Sequence, residues 1–312
     1  MRRQIIAAAT LAGLLLAACG DDETTTTVAP TTGAPTTTEA PAVYDLASVE
    51  VNEEAAACAD GKTLTAGALV IATGDPAYPP YVLDDDPTSG EGFESALALA
   101  VAKSMGFGDG AVSWVRTSFD SAVAGSDTNF DFNLQQFSIN PDREEVVSFS
   151  DPYYTANQAI LGYADGPGKE ITKLSDLKSL KLGAASGTTS LQFITDVIQP
   201  DTAAFEFSSN ADAKAALDAG QIEAIISDVP TALYWSVASE EEGGVPGTKV
   251  FGQFSIDAGG AGDQWGLLFV KDNPLVECAN LALADLVSTG ALAAITEQWM
   301  AGYTEAPTLS KD

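Results

Sequence analysis

Residues 131–154 read DFNLQQFSINPDREEVVSFSDPYY, and the rest of the chain can be organised around them. The apolar–polar alternation from Asp131 to Phe137 predicts a strand. After it come Ser138, a Pro141-Asp142 pair suited to a helix start, and Arg143, one of fourteen basic residues in the chain. A guanidinium presents a rigid fork that matches a carboxylate bidentately, and a serine hydroxyl adds a donor beside it, so the pairing suits an α-carboxylate. On these residues alone an ordinary surface ion pair, of small energetic weight, explains Arg143 equally well.

Composition narrows the function classes. A chain of 312 residues permits two lobes or one large domain with an ample core. Its formal charge is −30, and removing a leader that holds Arg2 and Arg3 and no acid gives −30 − 2 = −32. Such acidity repels nucleic acid and anionic lipid. Histidine is absent from the sequence, which removes Ser-His-Asp and Cys-His catalysis and most zinc sites. No metal and no cofactor is expected.

The N-terminus reads as a targeting segment. An apolar run from Ile5 to Ala18 follows two arginines and is too short to span a bilayer comfortably. It ends in Leu16-Ala17-Ala18-Cys19, which resembles a lipobox; an ordinary cleaved signal is the alternative. Lipidation at Cys19 tethers the protein outside the cytoplasmic membrane without spanning it. Gly20 to Ala42 is Thr, Pro, Ala and acid, with almost nothing to bury, and predicts a disordered tether. Two cysteines then remain, Cys58 and Cys278. Outside the cell they suggest one disulfide within one lobe, with two buried thiols as the other possibility.

Strand and helix signals alternate through the mature chain, which gives an α/β fold. Ala68–Thr73 predicts a buried strand, followed by the proline-rich loop Asp75-Pro-Ala-Tyr-Pro-Pro-Tyr81. A helix opens at Gly92-Phe93-Glu94, and Val112–Val115 predicts a second strand. Gln158–Tyr163 predicts a crossing strand, and Ser186-Gly-Thr-Thr-Ser190 a glycine turn with a helix starting at Thr188 or Thr189. The free N–H groups of such a helix start favour an anion, although a Thr N-cap can also serve its own helix. Ile222–Ile226 predicts a strand with Asp228 just past its end, where an acid suits an ammonium group or caps the next helix. Trp265–Val270 predicts a return strand, and Leu281–Val287 and Ala291–Met300 two closing helices.

Ser138, Arg143 five residues on, and the following FSDPYY resemble the signature of family 3 extracytoplasmic solute-binding proteins, the amino-acid receptors of ABC importers. The resemblance extends from about Thr63 to Tyr303. It implies a two-lobed, periplasmic-binding-protein-like fold of type II, each lobe a mixed sheet flanked by helices, with two hinge crossovers. On that pattern residues 1–18 are a lipoprotein signal, 19–43 the tether, 44–155 and 265–304 the first lobe, 156–264 the second, and 305–312 a tail. The helix at Gly92 resembles the family's GFDVDLA, with Ala96 where an acid is common, a departure expected to affect only the surface.

The resemblance also implies the site. Tyr78 is the aromatic lid and Phe119 faces it, while Tyr81 is a packing residue. Arg143, Ser138, Gly187 and Thr189 hold the carboxylate, Asp228 the ammonium, Gln136 lines the pocket, and Asp75 meets the far end of the side chain. Arg116 is the one other cation considered for that end. The expected function is a monomeric, lipid-anchored receptor that captures a polar neutral or basic amino acid and passes it to an ABC permease. The alternative is a periplasmic dehydratase on the same fold, with Asp228 or Glu94 as general acid.

Overall fold

The computed structural model describes residues 44–254 and 262–311; the leader, Cys19 and the tether lie outside the described residues. The first lobe grows from Leu69–Gly74 (β1), a strand buried on both faces, which lies parallel between Val112–Thr117 (β2) and Phe132–Asn133 (β3). Val147–Phe149 (β4) follows, and the chain leaves the lobe on Tyr154–Ala156 (β5). The second lobe holds Gln158–Tyr163 (β6), Leu182–Ala185 (β7), Phe205–Phe207 (β8), Ala224–Asp228 (β9) and Thr248–Phe254 (β10). The return runs through Asp263–Trp265 (β11) to Leu268–Val270 (β12).

Among the described residues these strands form two five-stranded mixed sheets and a hinge ribbon. Their orders are β2-β1-β3-β12-β4, β10-β6-β9-β7-β8, and β11-β5. Apolar clusters pack on both faces of each sheet: Phe93, Leu97 and Phe269 on one side of the first and Phe130 and Phe137 on the other, Phe193 and Ile194 on one side of the second and Trp235 and Leu217 on the other. Helix Phe93–Ser104 is buried along ten of its twelve residues, Ala96 included at 3% exposure, so the departure at Ala96 lies in the core and not on the surface. A carboxylate in that place would be buried and would need a partner of its own.

Four elements differ from their sequence readings for local reasons. The third strand shrinks to Phe132–Asn133 because Asp131 spends both carboxylate oxygens on the N–H groups of Leu64 and Val70, and Gln136 turns the chain at φ 51°. The predicted return strand divides in two at Gly266, where a Cβ would stand 2.9 Å from Ile139 and 3.1 Å from the Ser150 carbonyl. The first closing helix begins earlier, at Leu275, because Asn273 Oδ1 accepts from the Leu275 N–H and Pro274 is tolerated at a helix start. The crossing itself is β5, while Gln158–Tyr163 is an interior strand of the second sheet. After Tyr303 the chain returns to the second lobe, where Gln253 donates to the Ala306 carbonyl and Leu309 enters the core at 9% exposure. A third pass thus joins the two hinge strands.

Cys58 and Cys278 are bonded, joining helix Glu53–Ala59 to helix Leu275–Ser288 within the first lobe across 220 residues of sequence. Closing a loop of that size restricts the unfolded chain. The Cys58→Ala/Cys278→Ala protein is expected to lose about 2–4 kcal/mol of stability. Neither cysteine lines the cleft, so ligand affinity should not change. An unaltered denaturant midpoint would show that the bridge contributes nothing.

Candidate functional site

Arg143 lies in the one-turn helix Pro141–Glu144, which Asn140 caps by accepting from the Arg143 N–H at 2.9 Å. That turn follows from Asn-Pro-Asp in sequence and points the guanidinium into the cleft, where it is 8% exposed. Nη1 donates to the Ser138 carbonyl at 2.7 Å and Nη2 to the Gly187 carbonyl of the other lobe at 3.0 Å. The guanidinium carbon stands 5.4 Å from the ring centre of Phe119, which in turn stacks on Phe137. Burial lowers the Arg143 pKa to about 10, against the pull of Asp263 and Asp228. The described residues contain one ion pair, Arg116–Asp85, so Arg143 has no direct carboxylate partner among them.

Asp228 is the last residue of β9 and occupies the N-cap position of helix Val229–Val237, yet its carboxylate makes no capping bond. It accepts instead from Gln158 Nε2 at 2.7 Å. The capping alternative is therefore not what holds it. Burial first, and then the charge of Asp263, push its carboxyl up to about 8, against the Gln158 bond and Arg143. Glu94, 2% exposed at the start of its helix, receives the backbone N–H and side-chain amide of Gln136 and the hydroxyl of Tyr153. Burial outweighs these donors and raises its carboxyl to about 7.

A cavity of about 180 Å³ lies between the lobes, and Asp75, Tyr78, Phe119, Gln136, Ser138, Arg143, Thr189 and Asp228 all reach its wall. Gly187 does not line it. At φ +68° and with a Cβ position 2.8 Å from Asp120 Oδ1, it is a tight turn that serves the cavity through its carbonyl. Thr188 caps the helix that starts at Thr189, accepting from the Leu191 N–H at 3.2 Å. Asp75 is exposed at the cavity rim. Arg116 is bound to Asp85 and to the Gly74 carbonyl and does not reach the cavity.

Several residues near the cavity are not assigned to the site by the sequence, in which Tyr81 reads as a packing residue. Tyr81 is 2% exposed, packs edge-on against Trp265 and also lines the cavity, and its hydroxyl meets Thr231 Oγ1 of the second lobe at 2.7 Å. Ser186 donates to Asp120 at 2.8 Å across the same gap, so the lobes are closed on each other. Lys214 stands over Tyr78 and Trp235, at 5.6 and 5.1 Å from the ring centres. Asp263, at the start of β11, accepts from Ser138, Thr189 and Gln158. A hinge acid followed by Gln-Trp carries no periodic signal that would have marked it. Chemically, the cavity wall offers a buried cation, hydroxyl donors, acids held close to both, and aromatic rings.

A family model for bacterial extracellular solute-binding proteins, family 3, matches residues 69–302. Among curated proteins the chain is similar to the ABC transporter arginine-binding protein 1 of Escherichia coli (strain K12), 27% identical over 224 residues, which is 71% of this chain and 86% of the relative. Among solved structures it is similar to an ancestral arginine-binding protein bound to glutamine, with 28% identity, a TM-score of 0.63, and coverage of 76% of this chain and 99% of that one. The ancestral amino-acid-binding protein AncCDT-1, a precursor of cyclohexadienyl dehydratase, aligns with a TM-score of 0.61 at 28% identity, over 75% of this chain and 95% of that one.

Proposed function

The chain belongs to the bacterial extracellular solute-binding proteins of family 3, and we propose that it captures one free amino acid, polar neutral or basic, between its lobes for delivery to an ABC importer. The observation that carries this reading is the charge pattern of a closed cavity. Arg143 lies buried on its wall with no ion pair among the described residues, and Asp228 lines the same wall with its carboxyl raised to about 8. Buried charges are normally paired, and the α-carboxylate and α-ammonium of an amino acid supply the two missing partners. In this reading Ser138 and Thr189 assist at the carboxylate, Tyr78 and Phe119 cover the stem, and Gln136 and Asp75 face the side chain. Arginine-binding relatives, and one related structure that holds glutamine, agree with that side-chain class. Cys19 anchors the receptor by lipid to the outer face of the membrane, and the domain works as a monomer.

A micromolar affinity corresponds to about −8 kcal/mol, or roughly 0.8 kcal/mol per heavy atom for a ligand of about ten atoms. That is under the ceiling of about 1.5 for very small ligands, so charge-assisted contacts suffice. The test is calorimetric titration of arginine, glutamine and glutamate in one buffer. Arginine or glutamine is expected to bind at least about tenfold tighter than glutamate, roughly 1.4 kcal/mol. Tightest binding by glutamate would mean that Asp75 does not meet the side chain.

The enzyme reading has one observation in its favour, the Glu94 carboxyl held near 7 on the cavity wall, a value suited to a general acid. Incubation with prephenate and arogenate separates the two. A receptor leaves both unchanged, and turnover of either would replace the binding reading.

A further inference from the structure

Asp263 carries an assignment of its own, which rests on reading Arg143, Ser138 and Thr189 as the carboxylate end of the cleft. Its Oδ2 accepts from Thr189 Oγ1 at 2.7 Å, Gln158 Nε2 at 3.1 Å and Ser138 Oγ at 3.2 Å. Ser138 belongs to the first lobe and Thr189 to the second, and Asp263 itself pairs with Ala156 in the hinge ribbon. One carboxylate oxygen, on a residue 8% exposed, therefore ties both lobes to the hinge. The charged groups that bear on it are Arg143 and Asp228. Gln158 holds the two acids side by side, donating its amide to Asp263 Oδ2 and to Asp228 Oδ1.

A hydroxyl has one proton to give. While Ser138 and Thr189 donate to Asp263, they cannot donate to a carboxylate in the cavity. A ligand's carboxylate needs those protons and the same guanidinium, and it meets a like charge nearby. We propose that Asp263 is an internal carboxylate ligand: in the empty protein it takes the donors of Ser138 and Thr189 and holds the lobes together, and an incoming carboxylate competes with it for them. Competition lowers the affinity below what the donor set alone would give, because part of each binding event replaces a contact already made. It also lets the empty cleft close, and it makes Asp263 a positioning residue for the two hydroxyls.

The experiment compares wild type, Asp263→Ala and Asp263→Asn, with L-arginine and L-glutamine as probes. Calorimetry gives affinity, and small-angle scattering gives the radius of gyration with and without probe. Asp263→Ala should enlarge the empty protein, leave the bound radius unchanged, and bind the better probe at least about tenfold tighter, about 1.4 kcal/mol. Asp263→Asn keeps an acceptor oxygen without the charge, so it should tighten binding while staying more closed when empty. Affinity that is unchanged or weaker in the folded variants overturns the assignment, as does an unchanged radius for empty Asp263→Ala. If the alanine variant does not fold, the affinity of Asp263→Asn decides alone. Arg143→Ala measured alongside keeps the premise separate. Retained binding there, or wild type that binds neither probe, means the carboxylate end lies elsewhere. Lost binding there without tightening at position 263 removes only the internal ligand.

Discussion

Arg143→Ala is expected to weaken amino-acid binding by about 3–5 kcal/mol, a factor on the order of a hundred to several thousand, because it strands the ligand's carboxylate in a closed cavity. Asp228→Asn is expected to cost a similar amount at the ammonium end. Neither change should harm the fold. Arg143 spends two of its N–H groups on the carbonyls of Ser138 and Gly187, and burial disfavours its charge. The empty Arg143→Ala protein should therefore melt no lower than wild type by more than a few degrees. An asparagine at 228 can still accept from Gln158 and no longer faces the Asp263 charge, so the empty Asp228→Asn protein should be the more stable one. Binding lost while stability is kept or raised distinguishes a ligand partner from a structural residue. Titration that finds either variant within about threefold of wild type, under roughly 0.7 kcal/mol, would move the site away from these residues.

How much of this was legible in the sequence depended on whether the signal was local. Apolar runs located β1, helix Phe93–Ser104 and helix Ala291–Met300 to within a residue or two. The turn that aims Arg143 was readable in the Pro141-Asp142 pair, since proline chemistry acts over a few residues; the Asn140 cap came from the structure. Long-range partnerships were not readable. Glu94 looks like an acid suited to the first turn of a helix, and only the fold reveals that Tyr153, 59 residues away, covers it. Tyr81 passes for a packing residue until Thr231 arrives from the other lobe. Leu309, alone in a polar tail, gives no hint that it enters the core of the second lobe.

The same buried acids give the empty protein a dependence on pH whose sign can be worked out. The Glu94 carboxyl stands at about 7 against an ordinary 4.5, and that of Asp228 at about 8 against 3.8. Both are raised, so the folded, closed protein binds protons that the unfolded or open chain has released. Their favourable contribution is complete below the ordinary carboxylate range and is lost as pH rises toward 7 for Glu94 and 8 for Asp228. One pKa unit corresponds to about 1.4 kcal/mol, so the pair can change the stability of the empty closed state by several kcal/mol between about pH 4 and 8. The two acids differ in how they can be relieved. Glu94 receives its donors within the first lobe, whereas Asp228, raised first by burial, is pushed further by the charges of Asp263 and Glu94 beyond its own lobe, with Arg143 pulling the other way. Raising the pH should therefore open the empty protein, seen as a growing radius of gyration, before it unfolds it. An amino acid that places its ammonium at Asp228 removes that cost, so the rise in melting temperature on adding ligand should be larger at pH 8 than at pH 5.5. Asp228→Asn should flatten the dependence of the empty protein above about pH 7 and leave the part below it that belongs to Glu94. A ligand-induced shift equal at the two pH values, with wild type and Asp228→Asn opening alike, would show that no ammonium sits at Asp228.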